Sequence, residues 1–142
     1  MWDSSIQGFR LKKRLTGSRY TQNDYHKNEI RLTKIIENYY GYTNVVTGYH
    51  PIWAVSNKDV LLEFDIYIKS LNLAIEYNGQ QHYEHTPFFQ RTKKIFNQRK
   101  RLDRLKLKLA KKNKTKVIIF KYDEPMFDDY VITKVEKERI IV

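Results

Sequence analysis

Apolar and polar positions alternate most clearly between Leu61 and Tyr83, a pattern that predicts two strands joined by a short turn. Successive side chains of a strand point to opposite faces. Leu62, Phe64, Ile66 and Ile68 are therefore expected on one face of the first strand, with Glu63, Asp65 and Tyr67 on the other. In the second strand Leu73, Ile75 and Tyr77 oppose Ala74, Glu76 and Asn78. A hairpin centred between Ser70 and Leu71 sets Asp65 opposite Glu76 and Glu63 opposite Asn78, and a four-residue loop from Lys69 to Asn72 keeps that pairing. Directly opposed like charges destabilise an antiparallel pair. A cation or a shared proton is needed between Asp65 and Glu76, and a divalent metal would be such a cation.

Other periodicities frame this hairpin. Leu32, Ile35, Ile36 and Tyr39 follow helical spacing and predict a helix from Asn23 to Tyr40, stopped by Gly41. Glu29 lies on or near its apolar stripe, either as a boundary residue bending to solvent or as an acid aimed at a polar site. Residues 43–55 suggest a strand with a bend at Pro51. Pro87 opens a long helix to about Asn113, with Phe88, Phe89, Ile95, Phe96, Leu102, Leu105 and Leu109 on one stripe. Residues 116–122 read as a short apolar strand expected at the centre of the sheet. The tail from Phe127 to about Arg139 suits a final short helix. Residues 1–22 carry Arg10, Lys12, Lys13, Arg14 and Arg19 and read as a basic arm ahead of a domain spanning 23–142. The order helix, strand, hairpin, long helix, strand belongs to a small α/β sheet flanked by helices.

Charge changes the picture more than size does. A chain of 142 residues is one domain able to bury a core without staples. Zero cysteines exclude disulfides and thiolate metal sites. Without a long apolar run or a signal-peptide pattern, a soluble cytoplasmic protein is expected, with no membrane partner. Lys and Arg number 27 against 16 acids, a net charge of +11, alongside 11 Tyr, 7 Phe and 2 Trp. Such a field favours nucleic acid. The long helix carries much of it, in Arg91, Lys93, Lys94, Arg99, Lys100, Arg101, Arg104, Lys106 and further lysines, an excess too one-sided for ion-pair decoration.

Three segments carry a resemblance. Phe64-Asp65-Ile66-Tyr67, then Ile75-Glu76-Tyr77-Asn78-Gly79-Gln80-Gln81-His82-Tyr83, then Arg101-Leu102-Asp103-Arg104-Leu105-Lys106 resemble the PD-(D/E)XK nuclease superfamily. Within it the pattern is similar to the EDxHD homing endonucleases and the very-short-patch mismatch repair endonucleases. The likeness covers roughly Glu29 to Tyr122. It implies a restriction-endonuclease-like fold, a central mixed β-sheet flanked by helices with an α-β-β-β-α-β core. It also implies a divalent-metal-dependent DNA endonuclease using Mg²⁺ or Mn²⁺, as monomer or homodimer.

By that resemblance Asp65 is the central metal ligand, Glu76 the second acid, and the carbonyl of Tyr77 a backbone ligand. Asn78 stands where the superfamily usually has lysine, and His82 takes the proton-transfer role, with His85 in the same loop. Glu29 is the helix-borne acid, and Asp103 the last acid, orienting His82. Asn78, Gln80, Gln81, Arg99, Lys100, Arg104 and Lys106 are expected to contact nucleic acid. Two other readings share the fold and charge: a structure-specific resolvase, and a nucleic-acid-binding module that has lost activity, which the missing lysine suggests. A histidine suits proton transfer because its ordinary pKa is near neutrality, and hard oxygen ligands suit Mg²⁺.

Overall fold

The computed structural model describes residues 17–79 and 93–141, with side chains described from Lys27 onward. The basic residues from Arg10 to Arg14, the segment with Gln80, Gln81, His82 and His85, and the expected helix start at Pro87 with Phe88 and Phe89 lie outside the described residues. Among those described, four strands form one mixed sheet in chain order: β1 (Val45–Tyr49), β2 (Phe64–Ile68), β3 (Leu73–Asn78) and β4 (Lys116–Lys121). The first two pairings are antiparallel, and β3 pairs with β4 in parallel. A parallel pair needs a crossover, and α2 (Lys93–Lys112) lies within that connection.

Helices α1 (Gly17–Tyr40) and α3 (Asp128–Glu138) bring Leu32, Ile36, Val131 and Val135 against Ile66, Ile68, Ile75 and Phe120 of the sheet. The opposite face is thinner. There Ala110 of α2 shares one buried cluster with Ala74 of β3, Phe64, Leu62 and Ala54. Among the described residues no helix is long and apolar enough to cross a membrane.

The hairpin forms in the expected register, with Ile66 opposite Ile75, Tyr67 opposite Ala74 and Ile68 opposite Leu73. Its turn is one 3₁₀ turn, Lys69–Leu71, closed by Asn72 in the left-handed region at φ 48°, a conformation asparagine tolerates. The first helix ends as expected at Gly41, whose φ of 101° suits glycine and whose N–H donates to the Glu37 carbonyl. It begins at Gly17, earlier than Asn23. The tail is helical over Asp128–Glu138.

Four expectations are corrected. The strand expected over 43–55 ends at Tyr49, and beyond the turn at Pro51 only Val55 pairs, bridging to Leu61. Strand β4 lies at the sheet's edge, not its centre. Its apolar run reflects cover on both faces, Ile118 and Phe120 packing toward α1 and α3 and Val117 toward α2. Along α2, Ile95 and Leu102 of the predicted stripe are substantially exposed, and burial is confined to the C-terminal half around Leu105, Leu109 and Ala110. Phe64 does not share a face with Ile66 and Ile68; with Leu62 it packs in the cluster under α2. Alternation breaks at Asp65, opposite Gly48, whose φ of 62° coincides with a gap in the β1–β2 ladder between Thr47↔Ile66 and Tyr49↔Phe64, the register being the same on both sides.

Candidate active site at a fork between two strands

The ladder between β2 and β3 ends at Ile66↔Ile75, yet neither strand stops there. β2 remains paired to β1 as far as Phe64, and β3 remains paired to β4 as far as Asn78. Held from their outer sides, the two strands separate and leave a fork. Buried backbone N–H groups need partners, and in the fork two side chains supply them. The Tyr77 N–H donates to Asp65 Oδ2 at 2.8 Å, and the Asp65 N–H donates to Glu76 Oε2 at 3.1 Å. Each acid thus binds backbone of the opposite strand, which fixes both carboxylates between the strands. The N–H and C=O of one residue in a β-strand point to the same side, so the Tyr77 N–H bonded to Asp65 sets its carbonyl on the fork side of β3 as well.

The other oxygen of Glu76, Oε1, accepts a hydrogen bond from Lys106 Nζ of α2 at 2.8 Å. Both side chains are mostly buried, 10 % exposed for Glu76 and 15 % for Lys106. The ammonium also lies 5.3 Å from the centre of the Phe64 ring, within cation–π range. Burial, then the Asp65 carboxylate, push the Glu76 carboxyl up to about 7, against the opposing pull of Lys106.

From the α1 side, Glu29 is half-buried rather than turned fully to solvent. Burial, then Asp65 and Glu63, push it up to about 7 as well. The fork therefore gathers the fields of four carboxylates, Glu29, Glu63, Asp65 and Glu76. Glu63 in turn lies 3.5 Å from His50 Nε2.

A cavity of about 470 Å³ opens over Asp65 and Glu76, with Arg99, Asp103 and Lys106 of α2 in its wall. Val60, Leu61, Ile95 and Leu102 complete the lining. A water in the liquid occupies about 30 Å³, so a hydrated ion and a phosphodiester group fit together. Asp103 also lines a neighbouring cleft with Asn78, Lys100, Arg104 and Lys121.

The expected residues thus divide. Asp65, Glu76 and Tyr77 converge at the fork, Glu29 faces it from α1, and Asp103 and Arg99 stand across the cavity on α2. Asn78, Lys100 and Arg104 belong to the adjoining cleft. Gln80, Gln81 and His82 lie outside the described residues. Among the described residues no three His, Cys, Asp or Glu side chains are placed to hold a metal ion together.

Two residues have places that sequence reasoning did not assign. Glu63 shares the cavity and acts on Glu29; its signal was its position two residues before Asp65 on the polar face. Lys106, expected on phosphate, also meets Glu76. Its signal was its spacing, four residues before buried Ala110 and beside Leu105, on the packed side of α2.

No family model and no solved structure matches this chain. It is similar to Uncharacterized protein 307L of Invertebrate iridescent virus 6, 31% identical over 87 residues that make up 61% of this chain. The aligned part spans 44% of that viral protein, less than half its length.

Proposed function

We propose that this chain is a divalent-metal-dependent DNA endonuclease with a restriction-endonuclease-like core. The observation that carries the reading is the pair of buried carboxylates, Asp65 and Glu76, held face to face in a strand fork beneath a basic helix. A protein of net charge +11 attracts a polyanion, and opposed acids inside it attract a cation.

The donors present fit Mg²⁺. That ion is commonly held by one or two carboxylates and keeps its other positions for water and substrate phosphate, so two acids with the Tyr77 carbonyl suffice without a third side chain. Asp65 and Glu76 would hold it, and bound there it would supply Lewis-acid polarisation of the phosphate and a more acidic water. Asp65 and Glu76 orient that group through carboxylates already locked to backbone N–H groups. Arg99, with Lys100 and Arg104 in the next cleft, binds the flanking phosphates and sets the register of the strand. The resemblance gives proton transfer to His82.

Incubation with supercoiled, linear and branched DNA tests the reading. Nicked or linearised product should form with Mg²⁺ or Mn²⁺, vanish with chelator, and vanish in Asp65→Asn while DNA binding persists. Tight binding without cleavage of any substrate would instead support the binding-module alternative, and cleavage restricted to branched DNA the resolvase.

A further inference from the structure

We propose that Lys106 is a catalytic residue of this site, binding the scissile phosphate from the α2 side and holding the negative charge that grows on its non-bridging oxygens. The inference rests on the nuclease reading above and assigns one of its working groups.

Placement is the first argument. Glu76 Oε2 is fixed on the Asp65 N–H while Oε1 takes Lys106 Nζ at 2.8 Å. The ammonium is therefore tied to the fork by one rigid carboxylate. Pre-placed donors stabilise a transition state because they need no rearrangement when charge develops.

Unused donor capacity is the second argument. An ammonium has three N–H donors, and among the described residues Glu76 Oε1 is its hydrogen-bond acceptor. Lys106 nevertheless lines the cavity shared with Asp65 and Asp103. Two phosphate oxygens would complete its coordination. Stability alone accounts poorly for such a group, since burying an ion pair costs about as much in desolvation as the attraction returns.

Electrostatics is the third argument. Glu63, Asp65, Glu76 and Asp103 all line the cavity and repel a phosphodiester. A fixed cation beside Glu76 offsets that repulsion at the point where the reacting phosphate must sit. In the reaction a water oxygen bonds to phosphorus, the bond from phosphorus to the leaving deoxyribose oxygen breaks, the water's proton passes to a base, and the leaving oxygen gains one. Lys106 keeps its three protons throughout and acts by charge and hydrogen bonding.

The test combines single-turnover DNA cleavage with calorimetric Mn²⁺ titration of the full chain. Wild type, Asp65→Asn, Lys106→Met, Lys106→Gln and Lys106→Arg would be compared, with circular dichroism to establish folding. Lys106→Met should cleave about 10²- to 10³-fold more slowly, the usual loss for one transition-state donor. Lys106→Gln keeps a donor for Glu76 without the charge and should be equally slow, so the prediction stands on it if the methionine variant does not fold. Lys106→Arg should recover part of the rate. Mn²⁺ should bind both neutral variants at least as tightly as wild type, because a positive charge beside Glu76 has gone. Wild-type cleavage by Lys106→Gln, or loss of Mn²⁺ binding equal to that of Asp65→Asn, overturns the assignment while leaving the nuclease reading intact. A wild-type protein that cleaves no DNA with either ion overturns both.

Discussion

In chelator, the folded chain should lose stability as pH rises from about 4.5 to about 7. Glu76 and Glu29 both stand near 7 against an ordinary value of 4.5. Across that window the folded chain retains protons that the unfolded chain releases, so stability falls with pH. The contribution is fully present below 4.5 and lost once pH passes 7. For Glu76, which is only 8 % exposed, the interval from 4.5 to 7 corresponds to about 3 kcal/mol. Glu29 is half-buried, and solvent screening reduces its share to about 1 kcal/mol. The two share Asp65 as a cause and do not simply add, so about 3 kcal/mol is expected in all.

That is a large part of a stability of about 5–15 kcal/mol. Glu124 and Glu136 are held below the usual carboxylate range, and their effect has the opposite sign. It falls below pH 4.5, outside this window. Urea unfolding at steps from pH 4.5 to 8, followed by circular dichroism, measures the slope. Asp65→Asn should make it shallower without abolishing it, because the amide oxygen can still accept the Tyr77 N–H and the charge acting on both glutamates is gone, while burial, the larger cause, remains. A wild-type stability that is level or rising from pH 4.5 to 7 would refute the electrostatics assigned to the fork.

Three further outcomes are expected. DNA affinity should fall steeply with salt, with a logarithmic slope of about −0.9 per phosphate neutralised, and Lys100→Ala or Arg104→Ala should each reduce the slope by about one; a salt-independent affinity would make this face mere solvated surface. Ala110→Leu should destabilise by about 1–3 kcal/mol in urea unfolding, because Ala110 is buried against the sheet in the cluster containing Ala74. Gly48→Ala should cost about 1 kcal/mol or more, since φ is 62° and the new Cβ would stand 2.9 Å from Glu63 Oε2; unchanged stability would show that the strand relaxes at that point.

Local pattern carried the hairpin because strand parity leaves little choice. A slip of one residue would turn Ile66, Ile68 and Ile75 outward and the acids inward, so the alternation together with the short loop from Lys69 to Asn72 sets the pairing that opposes Asp65 and Glu76. Helix α1 was legible for the same kind of reason, with apolar residues recurring at helical spacing and Gly41 ending it. Periodicity says which positions are apolar, however, and not which neighbour covers them. The edge position of β4 depended on which strand it joined, and its sequence reads alike at edge or centre when helices cover both faces. The turnover of Phe64 depended on the backbone at Gly48, across a strand pair. Glu29 acquired its environment from β2, and Lys106 met Glu76 only because the docking of Ala110 in the cluster with Ala74 sets how α2 lies against the sheet. The acids and the basic helix were thus present in the sequence, but their meeting is a contact between residues far apart in the chain, and only the packed helix and sheet could decide it.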